Sequence, residues 1–358
     1  MVNFKTRLDE YKQRIDADVE QYAGQTRAFV SLAHGQDAAV VTDAFLEILC
    51  RGGKRLRGAL VLLGYHLAGG VDEKQALLLA RAIEVTHAYI LIIDDIQDRS
   101  DLRRGGPTAH MALARRFGAT QSVADAAHTG VALALNAALY GAHEAQVIVS
   151  QLEAAPTVRL EIVRLVNEAM MATAHGQTYD ILNGLRPNVT YEDVERVMRL
   201  KSAEYTLLNP LAAGMSLAGA SAQDVARMHE YSLPAGLAFQ LGDDVIGTFG
   251  NDEEAKSPKS DIIEGKQTAL TIYALKHARI EDKAFLRNCL GLATLSDDDF
   301  ARCQEIIVQC GALEHVKDLL HTYIERAKSA LLTMPESWPT SDIDFLRDMA
   351  SYLEARVG

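Results

Sequence analysis

The chain has 358 residues, of which 48% are hydrophobic and only 6% aromatic, so Ala and Leu supply most of the apolar content and helices are favoured over strands. The formal net charge of −12 argues against a nucleic-acid-binding surface. The charged N-terminus lacks the apolar core of a signal peptide, and no run reaches about 18 uninterrupted apolar residues, so we expect neither a signal peptide nor a transmembrane segment.

Apolar residues recur at spacings of three and four along most of the chain, which predicts helices. The predicted helices cover residues 3–33, 38–49, 54–69, 72–99, 108–117, 119–143, 156–184, 190–219, 221–249, 268–278, 296–310, 311–333 and 341–356. Residues 251–266 are polar and contain a Pro and a Gly, which predicts a loop. We find no alternating strand of convincing length and no linker, and therefore predict a single all-α domain, residues 1–358, of about twelve helices.

The cysteines form no CxxC pair and no zinc-ligand spacing. We therefore expect reduced thiols in a cytoplasmic protein. They are Cys50, Cys289, Cys303 and Cys310.

An acidic cluster follows an apolar run and precedes two arginines within residues 87–108. Asp94 and Asp98 would be one helical turn apart, with Cβ atoms roughly 6 Å apart. Their carboxylates repel each other unless a cation lies between them. Carboxylate oxygens suit Mg²⁺, and arginine forks suit phosphate oxygens, so the segment predicts a diphosphate site beside an apolar pocket. Taken alone, it also fits a solvated helix end. Its members are Asp94, Asp95, Asp98, Arg103 and Arg104.

A second acidic pair, Asp243 and Asp244, lies near the end of the helix predicted for 221–249, with Gln240 one turn before Asp243. The following loop contains Lys256, Lys259 and Lys266. Two acidic helix ends that face each other could hold several Mg²⁺ ions around one diphosphate. The alternative is an acidic helix followed by a flexible charged loop.

The segment GGKRLRG, residues 52–58, combines glycines that allow tight turns with Lys54 and Arg57 at i and i+3 of a starting helix. Cations oppose the dipole there, which fits a helix start that receives phosphate. A solvated basic turn is the alternative. His87 lies seven residues before Asp94 on nearly the same helix face, although such a histidine also fits simple packing.

Two further pairs lie within predicted helices. Gln177 and Asp180 share one helix face, and Lys201 is followed by Ser202. Taken alone, each pair would by default have only a structural role, in the core or at the surface.

In this order, GGKRLRG, DDIQD with RR and GGPT, GQTYD, KS, FQLGDD and EGK resemble the motifs of trans-type (head-to-tail) polyprenyl diphosphate synthases, and the motifs extend from Gly52 to Lys266. The resemblance implies a helical bundle of the isoprenoid synthase type around a central cavity. It implies condensation of isopentenyl diphosphate with an allylic diphosphate, and by analogy a homodimer.

The resemblance also implies residue roles. Three Mg²⁺ ions would be bound by Asp94, Asp98 and Asp243, with Asp95 and Asp244 as supports or weaker ligands. The allylic diphosphate would be held by Arg103, Lys201, Lys256 and Lys266. Isopentenyl diphosphate would be held by Lys54, Arg57, His87 and Arg104. The reaction centre would be lined by Gln177, Asp180, Ser202 and Gln240.

The chain departs from the family pattern at three positions. Gly247 stands where the second acidic motif has its fifth-position Asp, which removes a support if Asp243 is the main ligand. Ser202 replaces a common Thr and keeps the hydroxyl, and Ile93 replaces a His found in many relatives.

The resemblance implies that product length depends on the residue five before the first motif Asp, which is Tyr89, roughly 7.5 Å deeper by helix rise. The helical wheel alone aims Ile90 more squarely along the Asp94 face. A Tyr floor implies a C15 to C20 product, with C20 favoured over C15 and a longer product expected if Tyr89 points aside.

Three competing functions make different sequence demands. A class I terpene cyclase would carry an Asn/Asp–Ser/Thr–Glu triplet and no isopentenyl site, and a non-catalytic subunit of a heteromeric synthase would have lost acidic ligands. The sequence has no such triplet and retains Asp94, Asp98 and Asp243. A helical scaffold protein would need none of these motifs.

Overall fold

A computed structural model of the chain describes residues 2–250, 259–292 and 294–357. By their contacts they form two compact units. The amino-terminal unit contains Lys5–Arg164 and Ala213–Ala220, and the carboxy-terminal unit contains Leu165–Ala212 and Ser221–Gly358 together with Met1–Phe4. The predicted single domain stays a prediction.

The first 150 residues form six helices, followed along the chain by ten more among the described residues. The six are α1 (Val2–His34), α2 (Gln36–Cys50), α3 (Leu56–Leu67), α4 (Glu73–Gln97), α5 (Ala109–Phe117) and α6 (Val123–Ser150), with a 3₁₀ turn at Gly118–Thr120. The ten are α7 (Pro156–Gly184), α8 (Tyr191–Val197), α9 (Asn209–Leu217), α10 (Ala222–Phe249), α11 (Ser260–Ile263), α12 (Ala269–His277), α13 (Ile280–Cys289), α14 (Asp297–Gln309), α15 (Ala312–Leu331) and α16 (Thr340–Ala355). A π-helical segment, Met198–Leu208, joins α8 to α9, and the described strands are β1 (Leu102–Arg103) and β2 (Gly106–Pro107).

Hydroxyl side chains begin many of these helices. In each case the Ser or Thr accepts from the backbone N–H three residues later, which satisfies one of the open donors of a helix start. These N-caps are Ser122, Thr190, Ser221, Thr268 and Ser296.

The core of the amino-terminal unit is built around α4, which packs against α2, α3 and α6. Leu79, Ile83 and Ile92 of α4 are almost completely buried. By length and composition alone, α4 is the one described helix that could cross a membrane, but core helices of soluble proteins pass the same test, and 56% of its apolar stretch is buried. We therefore assign α4 to the core of this unit.

The core of the carboxy-terminal unit is built around α10, which packs against α15, α16 and the π-helical segment. Leu241 on α10 and Leu320 on α15 are almost completely buried in one apolar cluster, and Val357 from the C-terminal end joins it. This packing fixes the end of α10, where the second acidic pair lies.

The predicted all-α fold is confirmed, and several boundaries were wrong. The helix predicted for 119–143 is α6, which runs from Val123 to Ser150 because Ser122 caps it. Helix α13, the hairpin of β1 and β2, and the π-helical segment were missed, and α11 lies in the segment predicted as a loop. Such short segments raise the number of helices above the predicted twelve.

Two cavities of about 770 and 610 Å³ lie in the amino-terminal unit. The first is lined by Ile96, His110 and residues of α5 and α6, and the second by Tyr22, Tyr140 and their neighbours. Neither lining includes a predicted site residue. The central cavity implied by the family resemblance therefore stays a prediction.

Candidate active site

The first acidic motif lies at the C-terminal end of α4, as predicted. Asp94 and Asp95 belong to the helix and Asp98 caps it, with its backbone N–H 2.8 Å from the Asp94 carbonyl oxygen. Asp94 and Asp98 are thus one turn apart on one face, whereas Asp95 is fully buried.

The β1–β2 hairpin brings Arg103 to these carboxylates. Its Nε donates to Asp95 Oδ1 at 2.8 Å, and its Nη2 donates to Asp94 Oδ2 at 3.3 Å. Burial alone would lower the pKa of Arg103, but the Asp95 and Asp94 carboxylates outweigh it and raise that pKa. Arg103 is therefore a fixed cation at the acidic end of α4.

The hairpin turn places Arg104 beside the glycine-rich segment. Arg104 (φ 51) and Gly105 (φ 74) both adopt left-handed conformations, as a two-residue type I′ turn requires. The Arg104 Nη1 donates to the Gly52 carbonyl oxygen. Gly53 has φ 126, a backbone conformation that favours glycine, and a Cβ there would lie 2.7 Å from Arg104 Nη2.

Arg51, which sequence reasoning missed, ties the hairpin to the end of α2. Its Nη1 donates to the carbonyl oxygens of Arg103 at 3.1 Å and Pro107 at 2.6 Å. A Cβ on Gly106 would lie 2.9 Å from the Arg51 guanidinium carbon. Arg51 therefore sets where the hairpin presents its two arginines, a role that depends on tertiary contact.

Arg57 and His87 meet, as expected of two residues bordering one site. Arg57 Nη1 lies 3.4 Å from His87 Nε2. Burial of the imidazole, followed by the charges of Arg57 and Arg104, lowers the pKa of His87 well below its usual range, so the ring is neutral near pH 7. Burial, reinforced by neighbouring arginines, lowers the pKa of Arg104 to about 10, so it stays charged. This concentration of cations favours an anionic ligand.

Lys54 is exposed and precedes α3, which begins at Leu56. The prediction that Lys54 and Arg57 share a helix face was wrong, because Arg55 is the N-cap and adopts a left-handed conformation with φ 49. Lys54 therefore belongs to the turn that follows Gly52 and Gly53.

A buried ion-pair network supports this turn and was also missed. Arg55 is 5% exposed and donates to Glu84 at 3.0 Å, to Asp16 at 2.7 Å and to the Leu49 carbonyl oxygen at 2.8 Å. Glu84 is 3% exposed and also accepts from the Gly58 backbone N–H at 2.9 Å. The network joins α1, α3 and α4 beneath the predicted substrate cations.

The predicted chain-length residues lie on α4, before the acidic motif. Tyr89 and Ile90 are both partly buried. Burial raises the pKa of Tyr89 to about 12, so the phenol is neutral near pH 7. The regular helix keeps Ile90, four residues before Asp94, on the Asp94 face.

In the carboxy-terminal unit, α7 and the π-helical segment bring two predicted residues together. Lys201 Nζ donates to Asp180 Oδ2 at 2.8 Å. A Cβ on Gly176 would lie 2.4 Å from the Lys201 backbone nitrogen, and one on Gly236 of α10 would lie 2.7 Å from Ala203 Cα. These glycines let two helices approach the segment that carries Lys201 and Ser202. Long π-helical turns are rare and occur often at functional sites.

Gln177 follows Gly176 on α7 and is only 8% exposed. Neither its Oε1 nor its Nε2 has a hydrogen-bond partner among the described residues. A buried amide without partners is unfavourable, so Gln177 is a candidate contact for a bound molecule.

The second acidic pair lies near the C-terminal end of α10. Gln240 Nε2 donates to Asp244 Oδ1 at 2.8 Å, and Asp243 accepts from Arg356 Nη2 at 3.0 Å. Burial, followed by the Asp261 carboxylate, raises the pKa of Asp244 well above its usual range. Such a concentration of acids is stabilised by added cations.

Gly247, the departure from the family pattern, lies against a carboxylate from another element. A Cβ on Gly247 would lie 2.6 Å from Asp261 Oδ2. Asp261 on α11 thus places an acid where the fifth motif residue has no side chain. Sequence reasoning missed Asp261, and the glycine itself was the available signal.

The two loop lysines that were predicted to bind the allylic diphosphate have different outcomes. Lys266 Nζ lies 3.8 Å from Asp261 Oδ1 and also pairs with Glu264. Lys266 therefore lies beside the second acidic cluster, which consists of Asp243, Asp244 and Asp261. Lys256 lies outside the described residues.

Both acidic clusters fit a hard divalent cation. Their donors are carboxylate oxygens, which Mg²⁺ prefers. A guanidinium already balances each cluster, through Arg103 on Asp94 and Asp95 and through Arg356 on Asp243. In each cluster, the carboxylates that could hold metal therefore already interact with one positively charged group.

Comparison with known proteins identifies the family of the chain. The family model of the polyprenyl synthetases matches residues 38–307. Geranylfarnesyl diphosphate synthase of Aeropyrum pernix is 32% identical over 332 residues, covering 88% of this chain and 94% of that protein. Geranylgeranyl diphosphate synthase of Saccharolobus solfataricus is 30% identical over 303 residues, covering 84% of this chain and 86% of that protein.

A solved structure extends the likeness to three dimensions. Geranylgeranyl pyrophosphate synthase of Corynebacterium glutamicum, complexed with isoprenyl diphosphate and magnesium, matches with a TM-score of 0.91 at 28% identity, covering 98% of this chain and 99% of that chain. The family predicted from the motifs is confirmed. The chain belongs to the polyprenyl synthetase family and is an enzyme of the prenyl diphosphate synthase class.

Proposed function

We propose that the protein is a Mg²⁺-dependent prenyltransferase that condenses isopentenyl diphosphate with an allylic diphosphate to give a trans-prenyl diphosphate. The observation that carries this proposal is the contact between acidic and basic side chains at the end of α4. There Arg103 donates to Asp94 and Asp95, and Arg104 donates to the Gly52 carbonyl oxygen. The relatives' names and the ligands of the C. glutamicum enzyme support it.

The metal roles follow from the carboxylates. Three Mg²⁺ ions would be bound by Asp94, Asp98 and Asp243, with Asp95 and Asp244 in support. Bound Mg²⁺ would neutralise charge that develops on the departing diphosphate. Burial of Asp95 and Asp244 favours support over direct ligation, because each is engaged by a neighbouring side chain.

The substrate roles divide between two diphosphates. The allylic diphosphate would be bound by Arg103, Lys201, Lys256 and Lys266. Isopentenyl diphosphate would be bound by Lys54, Arg57, His87 and Arg104. Neutral His87 can donate one N–H to a phosphate oxygen while its other nitrogen accepts from Arg57.

The reaction centre would be lined by Gln177, Asp180, Ser202 and Gln240. Asp180 holds the Lys201 ammonium, and Gln177 offers an amide that the described residues leave without a partner. The allylic C–O bond ionises, the isopentenyl double bond attacks the resulting cation, and a proton is lost to the departed diphosphate. Apolar walls keep water from trapping the cation.

A direct assay tests the proposed activity. The purified protein is incubated with isopentenyl diphosphate, Mg²⁺ and a C5, C10 or C15 allylic primer, and the products are sized. We expect prenyl diphosphates that end mainly at C20 or C15, and no product when EDTA removes the metal. An unaltered mixture of substrates in Mg²⁺ would contradict the proposal.

Tyr89→Ala is expected to lengthen the product by one or more C5 units, because removing the ring deepens the site that holds the prenyl tail. One helical turn, about 5.4 Å, is close to the length of one C5 unit. Product sizing by mass spectrometry measures the change. Ile90→Ala is the matched control, since Ile90 is the residue that the helix aims along the Asp94 face. If only Ile90→Ala lengthens the product, the floor residue is Ile90.

We also propose that the units act as one catalytic domain in a cytoplasmic homodimer. The family model covers parts of both units, and the described cysteines are free thiols. Leu135 and Leu139, one turn apart on α6, are 48% and 57% exposed and could be covered by a second copy.

A further inference from the structure

Arg356, at the C-terminal end of the chain, contacts a predicted metal ligand. Its Nη2 donates to Asp243 Oδ1 at 3.0 Å, and its guanidinium lies 5.7 Å from the centre of the Phe239 ring, one turn earlier on α10. The side chain is 10% exposed, whereas that of Asp243 is 38% exposed. The cation therefore approaches Asp243 from the buried side and leaves the carboxylate accessible.

The neighbouring residue fixes this position. Val357 is 9% exposed and belongs to the apolar cluster of the carboxy-terminal unit. A Cβ on Gly242 would be 3.7 Å from Val357 Cγ1, so the end of the chain packs directly beside the residue that precedes Asp243. The packing of Val357 thus holds the neighbouring Arg356 in a defined place.

The hydrogen bonding of Arg356 is incomplete. Its Nε is buried and has no partner among the described residues. A guanidinium has five N–H donors, and a buried cation is costly unless anions and acceptors surround it. One hydrogen bond to a half-exposed carboxylate is a weak tether for such a group, and a competing cation can break it.

We propose that Arg356 is a displaceable counter-ion of Asp243. It balances the Asp243 carboxylate from the buried side, so a divalent cation that binds to Asp243 competes with it for the charge of that carboxylate. Arg356 would then set the metal concentration at which the second acidic cluster fills. The inference rests on the proposed function, because it takes Asp243 as a metal ligand.

Mn²⁺ binding without substrate tests this inference. Free Mn²⁺ is measured by electron paramagnetic resonance during titration of the wild-type protein and of Arg356→Gln. Because the competing cation is gone, we expect one Mn²⁺ site to bind about threefold to tenfold more tightly in Arg356→Gln. Unchanged or weaker binding would overturn the inference.

Two variants separate competition from a general effect of charge. Arg347→Gln removes one positive charge from α16, the helix that Arg356 caps at its C-terminal end, and should leave Mn²⁺ affinity unchanged, because Arg347 pairs with Asp344 near the surface. In a double-mutant cycle, Asp243→Asn should abolish the gain made by Arg356→Gln. An equal gain in Arg347→Gln, or a gain that survives Asp243→Asn, would assign the effect to net charge and reject the proposal.

A third variant covers the case in which Arg356→Gln does not fold. Arg356→Lys keeps the charge but has a shorter reach and no fork, so it should bind Mn²⁺ more tightly than the wild-type protein, by less than the range expected for Arg356→Gln. Unchanged or weaker binding in Arg356→Lys would overturn the inference. Thermal melting monitors folding in each case. Because the titration contains no prenyl substrate, a negative result for Arg356 leaves the synthase assay unaffected, and a failed synthase assay leaves the Mn²⁺ result readable.

Discussion

Asp94→Asn should lower kcat for prenyl transfer by on the order of 10³-fold, because it removes a metal-binding carboxylate from the point where leaving-group charge develops. The amide keeps the size of the side chain, and Arg103 retains its bonds to fully buried Asp95. The fold should therefore survive. Steady-state product formation with isopentenyl diphosphate and an allylic primer measures the loss, and circular dichroism checks the fold.

Asp101→Asn provides the matched control, since Asp101 is an exposed carboxylate only a few residues further along the chain. It should retain nearly full activity. Raising Mg²⁺ should recover part of the activity of Asp94→Asn if the remaining ligand Asp98 still binds metal weakly. Undiminished turnover in Asp94→Asn would remove Asp94 from the metal site.

The sequence predicted best the long helices that begin at a capping residue and carry apolar residues at helical spacing. Helices α4 and α10 begin and end within a few residues of the predicted limits, and Asp72 and Ser221 cap their first turns. The sequence did not predict the π-helical segment, because the spacing of its apolar residues also fits an α-helix. Gly176 and Gly236, which lie on other helices, approach its backbone closely, and sequence spacing carries no sign of these contacts.

Some of the predicted site residues contact each other in the structure, and these had each been identified from a short sequence motif. Asp180 and Lys201 are far apart in sequence, and each was identified from a motif of its own before the structure paired them. Arg51 and Asp261 escaped because their roles arise only in contact with other segments. A residue that positions another is defined by tertiary structure and leaves a weak trace in one sequence.

Glu84 is the clearest case of such a residue, and Glu84→Gln should lower the free energy of unfolding by about 3–5 kcal/mol. Burial alone would lower the pKa of Arg55, but the Glu84 and Asp16 carboxylates outweigh it and raise that pKa. The Gln side chain can still accept from the Gly58 N–H, so the loss isolates the charge. What remains is a buried guanidinium with one carboxylate fewer, which is the costly half of a broken ion pair.

Urea unfolding of the variant, compared with Glu73→Gln, measures this cost. Glu73 pairs with Arg14 at the surface, with side chains 49% and 36% exposed, so its loss should change the stability by less than about 1 kcal/mol. Replacing both partners by apolar residues, as in Arg55→Met with Glu84→Leu, should recover much of the stability, because no charge is left buried alone. If Glu84→Gln lowers the free energy of unfolding by no more than Glu73→Gln does, the network does not stabilise the turn that carries Lys54 and Arg57. The hairpin held by Arg51 would then have to position the predicted isopentenyl site.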